Sequence, residues 1–263
     1  MKYYRKPNNK AVYKQYDSRW GKLLYPVKPS TVASSGCGLC AVTHCAIERA
    51  IYFDDTPKDF YSFMKQYAVK GHGTEWKGID EGLKHCGFKN VKRINTMSAL
   101  WKELEKGNRV GVLLFNNKKS PNGTLWTSGG HYVAFVGYKK SDDGKKHYLY
   151  TKDSGGRGHT GYYCYETSMK NCIKLIWTAE VPAEEIKLPE RGYFQIGDSG
   201  TSVKYIQAFL KGHGFYNGKV LGNYKSLTEQ AVRDFQTKYH DKYDLDIDGL
   251  WGKQCNKAYE ILK

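Results

Sequence analysis

The sequence predicts an α+β protein in two parts: a larger domain with a cysteine-bearing helix packed on an antiparallel sheet, and a smaller domain of three helices. Three observations lead there. Strand-like stretches RVGVLLF, HYVAFVGY and HYLYT lie between residues 109 and 151, the last two joined through SDDG, a hairpin signal. Ahead of them CAVTHCAIERAI reads as a helix whose Val42, Ala46, Ile47 and Ala50 form an apolar stripe. Beyond about residue 178 the strand pattern gives way to AEVPAEEIKLPERG, with two prolines and little periodicity, and then to helical spacing. The expected limits are 1–180 for the larger domain, 181–192 for a linker and 193–263 for the smaller domain.

Composition narrows the class. Hydrophobic residues make up 40% of the 263, and aromatics 14%, which suits a globular chain with a core. Forty-two Lys and Arg against 26 Asp and Glu give a net charge of +16, which favours a polyanionic partner: nucleic acid, an acidic membrane face, or a wall loaded with anionic polymers. No dense basic run with interleaved aromatics appears, so nucleic acid is not expected. No segment approaches the roughly 18 uninterrupted apolar residues of a membrane span. The opening MKYYRKPNNKAVYKQYD has no apolar core of a signal peptide, so the expectation is a cytosolic chain whose seven cysteines are mostly reduced.

The stretch GCGLCAVTHCA, residues 36–46, admits three readings. As zinc ligands, Cys37, Cys40, His44 and Cys45 would come from nine consecutive residues, whereas structural zinc gathers ligands from two segments. As a redox pair, CGLC should follow a buried strand, but Thr31, Ala33, Ser34 and Ser35 precede it. The third reading places one reactive thiol at the first turn of a helix. Cys37 is that candidate nucleophile: the helix dipole favours its thiolate, and Gly36 and Gly38 would let backbone approach a substrate on either side. Cys40 and Cys45 read as small core residues. Neither metal nor other cofactor is expected.

A thiol nucleophile needs a base. His131 follows Gly129 and Gly130 and opens a strand. Folding the hairpin about residues 142–144 sets residues 153–156 opposite it, so Asp153 can reach the imidazole and hold its tautomer. Taken alone, His131 also admits the lesser reading of a strand-end histidine without a task, which the hairpin arithmetic weakens. Trp76, in GHGTEWKG, is either a groove residue or a packing residue.

The tail carries its own pattern. Val203, Ile206, Phe209 and Leu210 share a helical face that Gly212 and Gly214 end. Ser226 and Glu229 fit a capping box, followed by Leu227, Ala231 and Phe235 at four-residue spacing, and KQCNKAYEIL gives a third helix. Gly222-Asn-Tyr224 and Gly249-Leu-Trp251 rhyme as turns, so the unit is a short internal repeat; Tyr224 and Trp251 would either stack on sugars or staple those turns.

Two resemblances follow from these motifs. The tail, through Gly197-Asp198-Ser199-Gly200, Val203 to Gln207, Ala231 to Gln236, and Asp248-Gly249 with Gly252, resembles the peptidoglycan-binding domain of bacterial and phage cell-wall hydrolases; Lys225 stands at a usual glycine and Cys255 at a common threonine. Residues 13–178 resemble the papain-like cysteine peptidases of the bacteriocin-processing type through Gln15, Asp17, Arg19-Trp20-Gly21, Ser35-Gly36-Cys37-Gly38, Gly130-His131-Tyr132 and Asp153. Leu39-Cys40 replaces a frequent Pro-Thr, and Ser154 a frequent proline. The resemblance implies Cys37 as nucleophile, His131 as base and then acid, Asp153 as its orienting group, and Gln15 with the Cys37 N–H as oxyanion donors, although Gln15 fits a surface role equally; Gly36, Gly38, Gly130, Trp76, Tyr224 and Trp251 would meet substrate or wall. Together the resemblances imply an endolysin-type hydrolase of peptidoglycan, suited by its charge to a Gram-positive wall and reaching it after a holin-type opening of the membrane. It would act as an endopeptidase on the stem or cross-link, with an N-acetylmuramoyl-L-alanine amidase or a non-catalytic wall-binding protein as alternatives.

Overall fold

Strand periodicity organises the larger unit. The structure, a computed structural model, describes residues 1–263 and divides into two units, Met1–Glu48 with Asp55–Pro182, and Arg49–Asp54 with Ala183–Lys263. In chain order the first unit holds β1 (Lys2–Arg5), α1 (Val32–Ser35), α2 (Cys37–Ala46), α3 (Pro57–Lys65), β2 (Ala68–Val69), β3 (Gly73–Thr74), α4 (Trp76–His85), β4 (Lys89–Ile94) and α5 (Met97–Leu104). It continues through β5 (Arg109–Phe115), β6 (His131–Lys140), β7 (His147–Lys152), β8 (Gly161–Cys164), α6 (Tyr165–Ser168) and β9 (Ile173–Glu180). Seven strands form one antiparallel sheet in the order β4-β9-β5-β6-β7-β8, with β1 paired to the far end of β6. No helix is long and apolar enough to cross a membrane.

β5 is buried at every position, which explains its unbroken apolar run. Alternate side chains serve different faces. Leu113 and Phe115 join Val133 and Phe135 of β6, Leu100 and Leu104 of α5, Trp126 and Met169 in one core. Burying each such Leu or Val contributes about 1.5–3 kcal/mol. α2, buried from Gly38 to Ala46, packs against β6 and β5, where the Cys45 thiol donates to the Gly111 carbonyl at 3.3 Å. The helix ends at Ala46, shorter than its apolar stripe, and Ala50 begins a separate short 3-10 turn.

Glycines at the front of α2 have packing reasons. A Cβ on Gly36 would fall 2.6 Å from both Val32 Cγ1 and the Val32 carbonyl, and one on Gly38 would fall 2.3 Å from Thr74 Oγ1. Thr74 is held in turn: the Tyr25 hydroxyl lies 3.0 Å from its Oγ1, and the Tyr132 hydroxyl donates to its carbonyl at 3.1 Å. Before α1 the chain turns a corner on Trp20, whose indole N–H donates to the Lys14 carbonyl while Arg19, paired with Asp17, covers its ring. Behind α2 the Lys152 ammonium donates to Glu48 at 2.9 Å and to the Asn9 carbonyl at 2.8 Å, and Arg5 pairs with the second Glu48 oxygen. That network, with Glu48 and Lys152 buried and Arg5 at its edge, ties the N-terminal segment to the end of β7.

The second unit contains α7 (Thr201–Gly212), α8 (Ser226–Tyr243) and α9 (Lys253–Leu262). Three expectations are corrected here. The segment expected as a linker over 181–192 joins this unit from Ala183, because Ile186 enters its core and the Ile186 carbonyl accepts from Asn256. No capping box forms at Ser226: Lys225 is the N-cap, its carbonyl taking the Thr228 and Glu229 N–H groups, and Leu227 faces solvent while Thr228 is buried. Tyr224 and Trp251, expected to meet the wall, are 1% and 0% exposed. They fill the core with Phe209, Phe235 and Tyr259, which removes both rings from any ligand.

The internal repeat has a physical basis in two buried glutamines. Gln207 accepts from the Gly222 N–H at 2.8 Å and donates to the Asn223 carbonyl at 2.8 Å. Gln236 accepts from the Gly249 N–H at 2.8 Å and donates to Asp248 and to the Leu250 carbonyl. Each primary amide thus closes a turn whose glycine sits at positive φ, +79° for Gly222 and +73° for Gly249, a conformation other residues adopt at a cost. Gln236→Ala leaves the buried Gly249 N–H unpaired and removes one of the two donors to the Leu250 carbonyl, so it should cost about 1–3 kcal/mol. Chemical denaturation checks this; an unchanged midpoint for that variant would show the clamp to be dispensable.

Candidate active site

Three elements converge at one end of the sheet. Cys37 is the first residue of α2, His131 the first of β6, and Asp153 follows the last residue of β7. The β6–β7 ladder sets Ala134 opposite Lys152, so the two strands diverge just where His131 and Asp153 stand. His131 Nε2 lies 2.7 Å from Asp153 Oδ1. The other ring nitrogen, Nδ1, is left for Cys37, whose thiol and the His131 ring form a hydrogen bond. The structure therefore brings Cys37, His131 and Asp153 together.

Asp153 is fully buried and its carboxylate is saturated by donors. Oδ1 accepts the Gly155 N–H at 2.7 Å as well as the imidazole, and Oδ2 accepts the His159 N–H at 3.0 Å. Lys14 donates to the Asp153 and Gly155 carbonyls, fixing the loop. Gly155 allows close approach, since a Cβ there would sit 3.0 Å from His131 Nε2. Burial alone would raise the carboxyl's pKa, but hydrogen bonding to His131, the charge of that ring and the two backbone donors hold it well below the usual carboxylate range.

The same opposition governs the other two groups. Burial disfavours charge on His131, yet its bonds to Asp153 and Cys37 prevail and push the imidazole up to about 10. Burial likewise raises the Cys37 thiol, but the His131 hydrogen bond and charge bring it below its ordinary value. The lowered thiol and the raised imidazole both favour transfer of the proton from Cys37 to His131. The first-turn position in α2 adds the positive end of the helix dipole. Cys40 and Cys45 behave oppositely: both are fully buried, and burial pushes both thiols far up. Of the three cysteines in GCGLCAVTHCA, only Cys37 thus has its thiol shifted toward the ionised form.

The neighbouring groups are directed elsewhere. His44 Nε2 accepts the Tyr13 N–H at 2.8 Å beneath the stacked Tyr13 ring, and Cys45 points at Gly111, so the side chains of the zinc reading diverge. No group of three or more His, Cys, Asp or Glu is arranged to hold a metal ion. What precedes the CGLC stretch is α1, not the buried strand a redox pair would need. Gln15 bridges the two halves of the site: its N–H donates to Ser154, its Nε2 donates to the Ala33 carbonyl at 2.7 Å, and its Oε1 accepts from the Ser154 hydroxyl. Its amide carries a second N–H beyond the one given to Ala33.

Cys37 opens into a cleft of about 770 Å³ whose lining includes Thr74, Trp76, Leu114, Gly130 and Tyr132. Trp76 is 47% exposed there, and Gly130 leaves its rim open. Gly36 and Gly38, expected to meet substrate, are buried and do not line this cleft; their missing side chains make room for Val32 and Thr74. Leu114 and Tyr132 are lining residues that the sequence reasoning did not single out for substrate. They are register partners across β5 and β6, so strand alternation carried outward from His131 gives the signal that finds them.

Residues 199–258 match the family model of a peptidoglycan binding domain. A spore cortex-lytic enzyme of Bacillus subtilis is 35% identical over 81 residues, covering 31% of this chain and 26% of that enzyme. One from Bacillus cereus is 41% identical over 63 residues, 24% of this chain and 23% of the enzyme. The chain thus spans about a quarter of the length of the curated relatives it matches. Among solved structures, a peptidoglycan-binding protein of Clostridioides difficile in complex with glutamine hydroxamate aligns with 58% of this chain and 92% of its own at 17% identity, with a TM-score of 0.23, too low to bear on the fold. The C-terminal part of the protein is therefore cell-wall related.

Thiol reactivity tests the site directly. Brief iodoacetamide treatment of the native protein should label Cys37 well ahead of the other six cysteines, with a rate that already reflects thiolate below the ordinary thiol pKa. His131→Gln should move that titration upward. Peptide-resolved mass spectrometry across a pH series reads both effects, and uniform labelling of several cysteines would remove Cys37 from its assigned role.

Proposed function

We propose that this chain is an endolysin-type peptidoglycan hydrolase, a papain-like cysteine peptidase joined to a wall-binding unit. The observation that carries this reading is the Cys37–His131–Asp153 alignment, with its thiol lowered and its imidazole raised, in a chain that also matches a peptidoglycan-binding family. The Cys37 thiolate attacks the carbonyl carbon of an amide in the wall, giving a tetrahedral oxyanion. The first-turn N–H groups of α2, which have no intrahelical acceptor, and the free N–H of Gln15 are the donors suited to that oxyanion. His131 gives its proton to the leaving amine as the C–N bond breaks, and a thioester remains on Cys37. Water, losing a proton to His131, then cleaves the thioester and frees the thiolate and a carboxylic acid. Asp153 keeps the imidazole oriented through both halves.

The bond cut is a peptide bond of the stem or cross-link. A Gram-positive wall, rich in anionic polymers, suits the charge of +16, and action after a holin-type opening of the membrane belongs to the same proposal.

Purified walls test the reading. Wild-type protein should clear a wall suspension, while Cys37→Ala should sediment with walls yet leave turbidity unchanged; equal clearing by both would refute thiol catalysis. Mass spectrometry of the digest should find a new amino end within the peptide, and a free lactyl-linked muramic acid would identify an amidase instead. In kcat/KM against pH, activity should rise as Cys37 loses its proton and fall as His131 loses its own, with the descending limb near about 10. Gln15→Ala should lower kcat by about 10²-fold, as loss of an oxyanion donor does, and an unchanged kcat would return Gln15 to a purely structural place.

A further inference from the structure

The cleft beside Cys37 carries charges for which the proposed acyl transfer has no use. Attack and leaving-group protonation require the thiolate, the imidazole and oxyanion donors, all at one end of the cleft. Its wall also presents Lys77, in the first turn of α4, and Lys174, near the start of β9, both exposed beside Trp76. The Lys174 ammonium stands 5.9 Å from the centre of the Trp76 ring. Neither lysine forms an ion pair with a carboxylate, so each ammonium is open to one supplied from outside. Glu75 is the one acid in the lining, against these two lysines and His72.

Two lysines against a single acid on the wall of the cleft raise the local potential and favour an anionic group there. An indole face next to them suits the aliphatic chain that bears such a group. Resting on the function proposed above, we infer that this wall is a carboxylate subsite: Lys77 and Lys174 hold a free carboxylate of the substrate other than the group under attack, with Trp76 covering the intervening chain. The substrate class is accordingly a wall stem peptide whose side and terminal carboxyl groups are free, in preference to one in which they are amidated. Both contacts are solvent-exposed, so together they supply about tenfold in affinity. Screening over about 8 Å at physiological salt reduces that preference as ionic strength rises.

The test uses the full-length Cys37→Ala protein, which binds without turnover, and two probes: a synthetic stem tetrapeptide with free carboxyl groups and the same peptide fully amidated. Titration calorimetry should give about tenfold tighter binding of the free acid at low salt, a preference that shrinks in high salt. Adding Lys77→Gln and Lys174→Gln should bring the free acid to the affinity of the amide while leaving the amide's own affinity in place. Equal binding of both peptides by Cys37→Ala, or a preference untouched by the two lysine substitutions, overturns the subsite. Turnover of the same peptides by the wild-type chain is scored separately. Discriminating binding without any turnover would refute the hydrolase reading and leave the subsite standing.

Discussion

Charge enclosed at the sheet end is the constraint to which the larger unit answers. Burial opposes charge on Cys37, His131 and Asp153 alike, and bonding to one another and to fixed donors works against it at each. Asp153 needs two backbone N–H groups besides the imidazole, so the loop from Asp153 to His159 must curl around it, and Lys14 must anchor that loop from the N-terminal segment. The Arg5–Glu48–Lys152 network lies directly behind and fixes the strand end from which Asp153 emerges. Much of the chain before α1 therefore works as a brace for a carboxylate more than a hundred residues away.

The three cysteines of GCGLCAVTHCA illustrate how placement decides reactivity. All three share one helix, but only Cys37 has both the helix start and an imidazole. Cys40 and Cys45 lie one and two turns further in, where burial outweighs every opposing contribution and makes ionisation unfavourable.

Local pattern made much of this legible in the sequence. The apolar runs at 109–115 and 131–138 mark strands because both faces are covered, and the hairpin turn at 141–144 fixes which residues can meet across it. What pattern could not supply was the environment of individual side chains. Tyr224 and Trp251 look like ligand platforms in a list of residues, but their turns fold inward and the rings become the core between α7 and α8. Gly36 and Gly38 look like openings for a substrate, yet what occupies the space is Val32 and Thr74, the latter some 36 residues away on a strand of two residues. Lys174 gave no signal at all, since its place in the cleft depends on β9 pairing beside β5. The glutamines at 207 and 236 were visible as motif letters, and their work as clamps on positive-φ glycines needed the fold.

The contact between Gly38 and Thr74 joins the helix that carries Cys37 to the cleft wall without a gap. Thr74 is pinned by two tyrosine hydroxyls, one of them on the residue following His131, so helix, wall and strand are linked by direct contacts. Substitution at that inner seam would displace Cys37 together with the cleft wall, whereas the exposed side chains of the outer rim, Trp76 and Lys174 among them, can be exchanged while the interior stays unaltered.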